Sequence, residues 1–260
     1  MVRALSTAAT GMNAQQTLID IIANNLANVN TAGFKRSRGE FQDLYYQQVR
    51  AATEAGVGTA SPIGLEVGQG VRVMASQKIF TPGDMQETGG MLDIAIEGRG
   101  FLKVVMPDGT AGFTRAGQFR VNEQGQVVNM DGYLLDPPTQ IPTDATEINI
   151  TKEGLIQYKQ PQQEAFSTAG QISLTTFPNP AGLKSLGGGI SAATIASGAP
   201  FEGTPGHDGI GAIQQGSLES SNVKVVEEMI GLISAQRAYE INSKVVQATN
   251  QMLREASNIR

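Results

Sequence analysis

Residues 223–259 read VKVVEEMIGLISAQRAYEINSKVVQATNQMLREASNI, and the fold is decided by how this stretch is read. It has no proline and one glycine, Gly231, so nothing in it stops a helix, which at 1.5 Å per residue would run about 55 Å. Apolar or small residues recur at Val226, Ile230, Ser234, Ala238, Ile241, Val245, Ala248, Met252, Ala256 and Ile259, with the gaps of three and four that mark one helical face. Lys224, Glu227, Gln236, Glu240, Lys244, Gln247 and Glu255 occupy the other side. Ser221 or Asn222 is the expected cap, and Glu227 and Glu228 complement the dipole of the first turn. So narrow an apolar strip requires a partner.

The opening of the chain offers one. Leu5, Met12, Ile19 and Leu26 fall seven apart, with Ala8, Ile22 and Val29 three places behind three of them and Gln15 interrupting the second series. This predicts an N-terminal helix, ending near Asn28 to Gly33, that pairs with the C-terminal helix as a coiled coil. All eleven prolines lie between Pro62 and Pro205, so the ends are free to be helical and the middle is not.

The middle changes period. Phe41, Leu44, Tyr45 and Val49 suit a short helical turn, followed by an extended arm from Ala51 to Pro62. From Gly68 the alternation falls to two: Val71–Ala75, Leu92–Ile96, Phe101–Met106, Gly112–Arg115, Phe119–Asn122, Val127–Asn129, Tyr133–Leu135, Glu147–Thr151, Leu155–Lys159 and Gln171–Phe177 read as strands. Asp108-Gly109, Gln124-Gly125 and Asp131-Gly132 supply the turns. Residues 178–216 read as loops, and most of the nine phenylalanines are expected in the β core. The fold class is α+β: long terminal helices pairing as a coiled coil, around a discontinuous antiparallel β-rich central region. The expected domains are 1–35 with 220–260, 36–96 with 205–219, and 97–204.

Few kinds of chemistry fit this composition. There is no cysteine, hence no thiolate nucleophile or zinc-thiolate site. The one histidine, His207, sits between Gly206 and Asp208 and reads as an exposed loop residue, with no Gly-x-Ser-x-Gly elbow to complete a triad. The glycines of Gly98-Arg99-Gly100-Phe101 lack the Lys-Ser/Thr of a phosphate loop, and Asn149-Ile150-Thr151 is a sequon inside an expected strand. No catalytic residue, cofactor or metal ligand is therefore expected. A net charge of −5 argues against nucleic acid as a partner, and the cluster Lys35, Arg36, Arg38 reads as a solvated or inter-subunit surface. No run is long enough for direct membrane insertion, and Arg3 is not followed by the apolar block of a secretory signal.

The stretch Ile22-Ala23-Asn24-Asn25-Leu26-Ala27-Asn28-Val29-Asn30-Thr31-Ala32-Gly33-Phe34-Lys35 resembles the N-terminal signature of the rod and hook family of axial proteins of the bacterial flagellum. Four asparagines in seven positions are poor helix formers, which suits amides that bond to neighbouring subunits or to the following loop. Gly98-Arg99-Gly100-Phe101, Glu227-Glu228-Met229-Ile230 and Ala235–Lys244 are similar to the same family, so the resemblance spans the chain. It implies a structural, non-enzymatic subunit of the rod that polymerises helically into a rigid hollow shaft transmitting torque from motor to hook, inside the periplasm and exported without a cleaved signal peptide. The partners it implies are further copies of the chain, proximal-rod and hook proteins, and the surrounding bushing rings. Length and the Tyr45–Pro62 arm favour the distal part of the rod over a proximal-rod or hook subunit. A wall-associated hydrolase would need two carboxylates across one cleft, a pattern this sequence does not supply, and a coiled-coil DNA binder is disfavoured by the acidic balance. The expected subunit interface comprises Leu5, Met12, Ile19, Ile22, Asn24, Asn25, Leu26, Asn28, Val226, Ile230, Ala238, Ile241, Val245 and Met252.

Overall fold

The computed structural model describes residues 2–50, 64–161 and 165–258; the expected arm from Ala51 to Pro62 lies outside them. The chain is α+β, with helix α1 (Val2–Ala27), helix α2 (Val225–Asn258) and short strands between. Its contacts divide it into two compact units. One comprises Met1–Ala27, Ser37–Gln77 and Lys224–Arg260, the other Asn28–Arg36 and Lys78–Val223.

In the first unit, α1 and α2 pack along each other. Gly11 lies against Asn242, Gly231 against Ile22, and Asn25 against Glu228, so one number rises as the other falls and the helices are antiparallel. A Cβ on Gly11 would come within 2.9 Å of the Asn242 amide, which shows how closely the backbones approach. Residues 41–49 are extended, contrary to the helical turn read from Phe41, Leu44, Tyr45 and Val49. Ser37–Asp43 pairs with Val71–Lys78, and Tyr46–Arg50 pairs antiparallel with Leu65–Gly68. The resulting two-stranded ribbon follows α1, with Gly39 on Ile21 and Gly70 on Thr10. An apolar residue every fourth place fits a helix in isolation, but in the folded chain the ladder to residues 65–78 satisfies this backbone instead.

The second unit is a β domain. Its largest sheet has nine strands, with Phe101–Val105 central, flanked by Ala111–Thr114 and Leu134–Asp136 and also paired with Leu174–Thr176. A three-stranded sheet, Glu147–Ile150, Leu155–Lys159 and Ser167–Gln171, lies in the same unit. Between them is an aliphatic core in which Leu102, Val104, Leu135, Ile156, Ile172 and Leu174 are fully enclosed. Four phenylalanines, Phe101, Phe113, Phe119 and Phe177, are buried, fewer than expected; Phe41, Phe166 and Phe201 are exposed. Phe80, Phe101, Phe177 and Phe113 meet edge to face in a smaller cluster. The glycine turns form where the sequence places them: Gly109, Gly125 and Gly132 take φ of +78, +78 and +84. Residues 178–216 are not the open loops expected, since Lys184–Gly187, Ile190–Ala192, Phe201–Gly203 and Ala212–Gln215 are all strands.

Gly117 marks the tightest backbone crossing. Ile94 donates its N–H to the Gly117 carbonyl at 2.9 Å, and a Cβ on Gly117 would overlap the Ile94 carbonyl. Gly117→Ala is therefore expected to destabilise the protein by roughly 2–4 kcal/mol, read as a lowered urea midpoint with unchanged m-value. A midpoint equal to the wild type would show that the two strands can part without cost.

Candidate assembly surface

The helix pair is held by polar bonds at one end. Asn25, at the end of α1, is 1 % exposed; its amide donates to the Ser37 carbonyl (2.8 Å) and to Glu228 Oε2 (3.1 Å), and its carbonyl accepts from the Ser37 N–H (2.9 Å). One side chain thereby joins α1, the ribbon and the first turn of α2. This gives the asparagine-rich signature a role inside the fold: an amide both donates and accepts here, which neither a carboxylate nor an aliphatic group does. Asn25→Asp places a carboxylate beside Glu228 and removes the donor. The expected cost is about 2–4 kcal/mol at neutral pH, read as a lowered urea midpoint. A midpoint equal to the wild type would mean that this amide does not hold the three elements together.

The cap expected at Ser221 or Asn222 does not form, because α2 starts at Val225 and these side chains act elsewhere. Asn222 accepts from the Arg36 N–H (2.8 Å) and donates to the Ile79 carbonyl (2.8 Å), while Ser221 Oγ accepts from the Val223 N–H.

The seam between the helices also differs from the expected one. On α2 the residues turned inward are Glu228, Gly231, Leu232, Ala235, Ala238, Asn242, Val246 and Thr249; Glu228, Ala235 and Thr249 are buried. The strip read from the sequence is rotated away by roughly 110° at 100° per residue. Val226 (69 %), Ile230 (63 %) and Ile241 (62 %) are largely exposed, Val245 (42 %) and Met252 (50 %) are partly so, and Ala238 at the margin is half-buried. Met229 and Ile233 extend the exposed strip. On α1, Ile22 is buried with Asn25; Leu5, Met12, Ile19 and Leu26 are half-buried on the flank, Asn28 just beyond the helix is half-buried, and Asn24 is exposed. The ribbon adds Tyr45, Tyr46, Val49 and Leu65, all more than half exposed. A two-stranded ribbon is marginal by itself in water.

Within the second unit, the rest of the signature loop is tied down by a buried ionic node. Lys35 is 3 % exposed, not a solvated cation; burial shields it because its ammonium donates to Glu219 Oε1 (2.6 Å) and to the Thr81 carbonyl (2.8 Å). Glu219 Oε2 accepts from Arg115 Nε (2.7 Å), and the remaining guanidinium N–H groups donate to the carbonyls of Ile96, Gly98 and Gly100. Glu219 Oε1 also accepts from the Gly83 N–H, and its backbone carbonyl from that of Gly33. Burial opposes the charge on Glu219, but Arg115 and Lys35 outweigh it and hold the carboxyl below its ordinary value. For Lys35 burial dominates and lowers the pKa against the pull of Glu219. Sequence reading missed Glu219 and Arg115. A carboxylate between Leu218 and the serines of a short apolar strand is the one available signal, and it does not identify partners 104 and 184 positions away. Arg38 does lie on the surface, paired with Glu40.

Among the described residues no group of three or more metal-ligating side chains comes together, and no helix is long and apolar enough to cross a membrane.

Comparison with known proteins covers the same parts. Residues 5–35 match the family model described as flagella basal body rod protein, residues 95–158 that of the flagellar hook protein FlgE/F/G D1 domain, and residues 214–259 that of the flagellar basal body rod FlgEFG protein C-terminal region. The chain is 46 % identical to the flagellar basal-body rod protein FlgG of Borreliella burgdorferi, over all of this chain and 99 % of that one. It is 46 % identical to FlgG of Caulobacter vibrioides over 99 % of each chain, and 44 % identical to FlgG of Buchnera aphidicola from Acyrthosiphon pisum over the whole of both.

Proposed function

This chain belongs to the family of flagellar basal-body rod proteins, a family of structural components and not of enzymes, and from that premise we propose that it is the subunit of the distal rod. Copies polymerise helically into a rigid hollow shaft that carries torque from motor to hook. The observation that supports this reading most is the exposed apolar strip of α2, from Val226 to Met252, on the side turned away from α1. In an open helical assembly each copy meets its neighbours through unlike surfaces that never close into a ring, so a long subunit face stays uncovered until the next copy arrives. The terminal helices pair as a coiled coil that lines the inner tube, with Leu5, Met12, Ile19 and Leu26 on the flank available to neighbours. The domains proposed for the assembled subunit are 1–35 with 220–260 at the axis, 36–96 with 205–219 as the connecting layer, and 97–204 outside. Proximal-rod and hook proteins meet its two ends, the bushing rings surround it in the periplasm, and export proceeds through the flagellum's own apparatus.

Electron microscopy of basal bodies purified from a strain lacking this one chain tests the assignment. A proximal stub without outer rings or hook is the expected particle. Complete rods carrying hooks would overturn it.

A further inference from the structure

The loop Asn28–Lys35 walls a pocket of about 300 Å³ in the second unit, and the charges around this pocket do not balance. Lys35 and Arg115 both line it, and both are paired to the single carboxylate of Glu219, leaving one positive charge in excess at the buried node. Lys78 lines the same pocket and is half-buried. Among the described residues its ammonium makes no hydrogen bond or ion pair. Burial lowers its pKa. The opposite wall is Gly187-Gly188-Gly189, three successive residues at φ of +104, +58 and +73. Only at Gly187 would a Cβ stand in open space; at Gly188 and Gly189 it would meet Asp131 and Ala116, which do not line the pocket. A Cβ on Gly188 would stand 3.1 Å from the carboxylate of Asp131. Thr31, whose hydroxyl donates to Asn28 Oδ1, and Ser185 also line it.

Two uncompensated cations in partly desolvated surroundings favour a bound negative charge. We infer that this pocket, walled by Thr31, Lys35, Lys78, Arg115 and the Gly187–Gly189 turn, is an oxyanion site that accepts a carboxylate or phosphate group. Two sources supply that chemistry: the side-chain carboxylate of a second copy of this chain, or a free anion of the surrounding solution. The first rests on the rod reading above. The second does not.

The test has two arms. In the first, the purified full-length monomer is melted in phosphate and in chloride of equal ionic strength. Saturating phosphate is expected to raise the midpoint of the wild type and of Lys78→Arg by roughly 2–4 °C more than that of Lys78→Gln, whose smaller rise reports general exclusion of the anion from the surface. Melting of both variants in chloride shows that they are folded. In the second arm, purified rods are treated with a carbodiimide and digested. A peptide joining Lys78 to an Asp or Glu of a second copy identifies the neighbour as the source. Phosphate binding that depends on Lys78, without that peptide, identifies a free anion. A phosphate effect that is absent, or equal in wild type and Lys78→Gln, together with no Lys78 cross-link, would overturn the site. The particle seen in the deletion strain judges the rod assignment independently.

Discussion

Cells carrying Ile230→Asp in this chain are expected not to swim, although the purified variant melts at the wild-type temperature. Ile230 is 63 % exposed and is not among the inward-turned residues of α2, so a carboxylate there is largely solvated in the monomer. In the shaft the same position would be covered. Burial of one isoleucine contributes roughly 1.5–3 kcal/mol, and an unpaired carboxylate at a covered contact costs several more. The loss recurs at every subunit, so a shaft does not extend. Ile241→Asp, 62 % exposed on the same strip, should behave alike. Motility in soft agar and electron micrographs of basal bodies provide the readout. Normal swimming of Ile230→Asp would remove the α2 strip from the assembly surface.

Glu219→Gln is expected to be the most damaging single change to the fold itself. It keeps the shape of the side chain and deletes the only charge that Lys35 and Arg115 share. Breaking a buried pair from one side costs about 3–5 kcal/mol because the remaining charge is left uncompensated, and here two cations remain. Adding Lys35→Met removes one of them and should recover part of the loss. Urea unfolding of the three proteins measures both steps. If Lys35→Met deepened the loss, the node would be held by packing and not by charge.

Acid should reproduce this effect in the wild type. The folded carboxyl of Glu219 lies below its ordinary value, so the folded state binds this proton less readily than the unfolded chain, whose glutamates titrate near ~4.3. The node's contribution is complete above that pH and is lost as the pH falls through the folded value. The wild type should therefore lose stability more steeply than Glu219→Gln below about pH 4–5. Parallel curves would mean that the carboxyl does not titrate differently in the two states.

The sequence by itself determined the order of elements. The absence of proline from both ends, the runs at gaps of three and four, and the change to period two after Gly68 are local properties, and local geometry decides them. Turns were legible for the same reason, since Gly109, Gly125 and Gly132 hold backbone angles that other residues avoid. The asparagine-rich signature was legible as a motif, though not as the clamp that Asn25 forms.

Tertiary structure alone decided which faces meet. Apolar periodicity locates the most hydrophobic side of α2, but α1 packs on another side, where Gly231, Ala235 and the Gly11–Asn242 contact let the backbones come close. Small and polar residues that fit one another outcompete larger apolar ones that have no complementary surface within the chain. The extended course of residues 37–50 depends on strands 65–68 and 71–78, which no short window contains. Likewise the fate of Lys35 depends on a carboxylate 184 positions away; whether a cation is solvated or buried is settled by what the fold brings to it, and that information is not local.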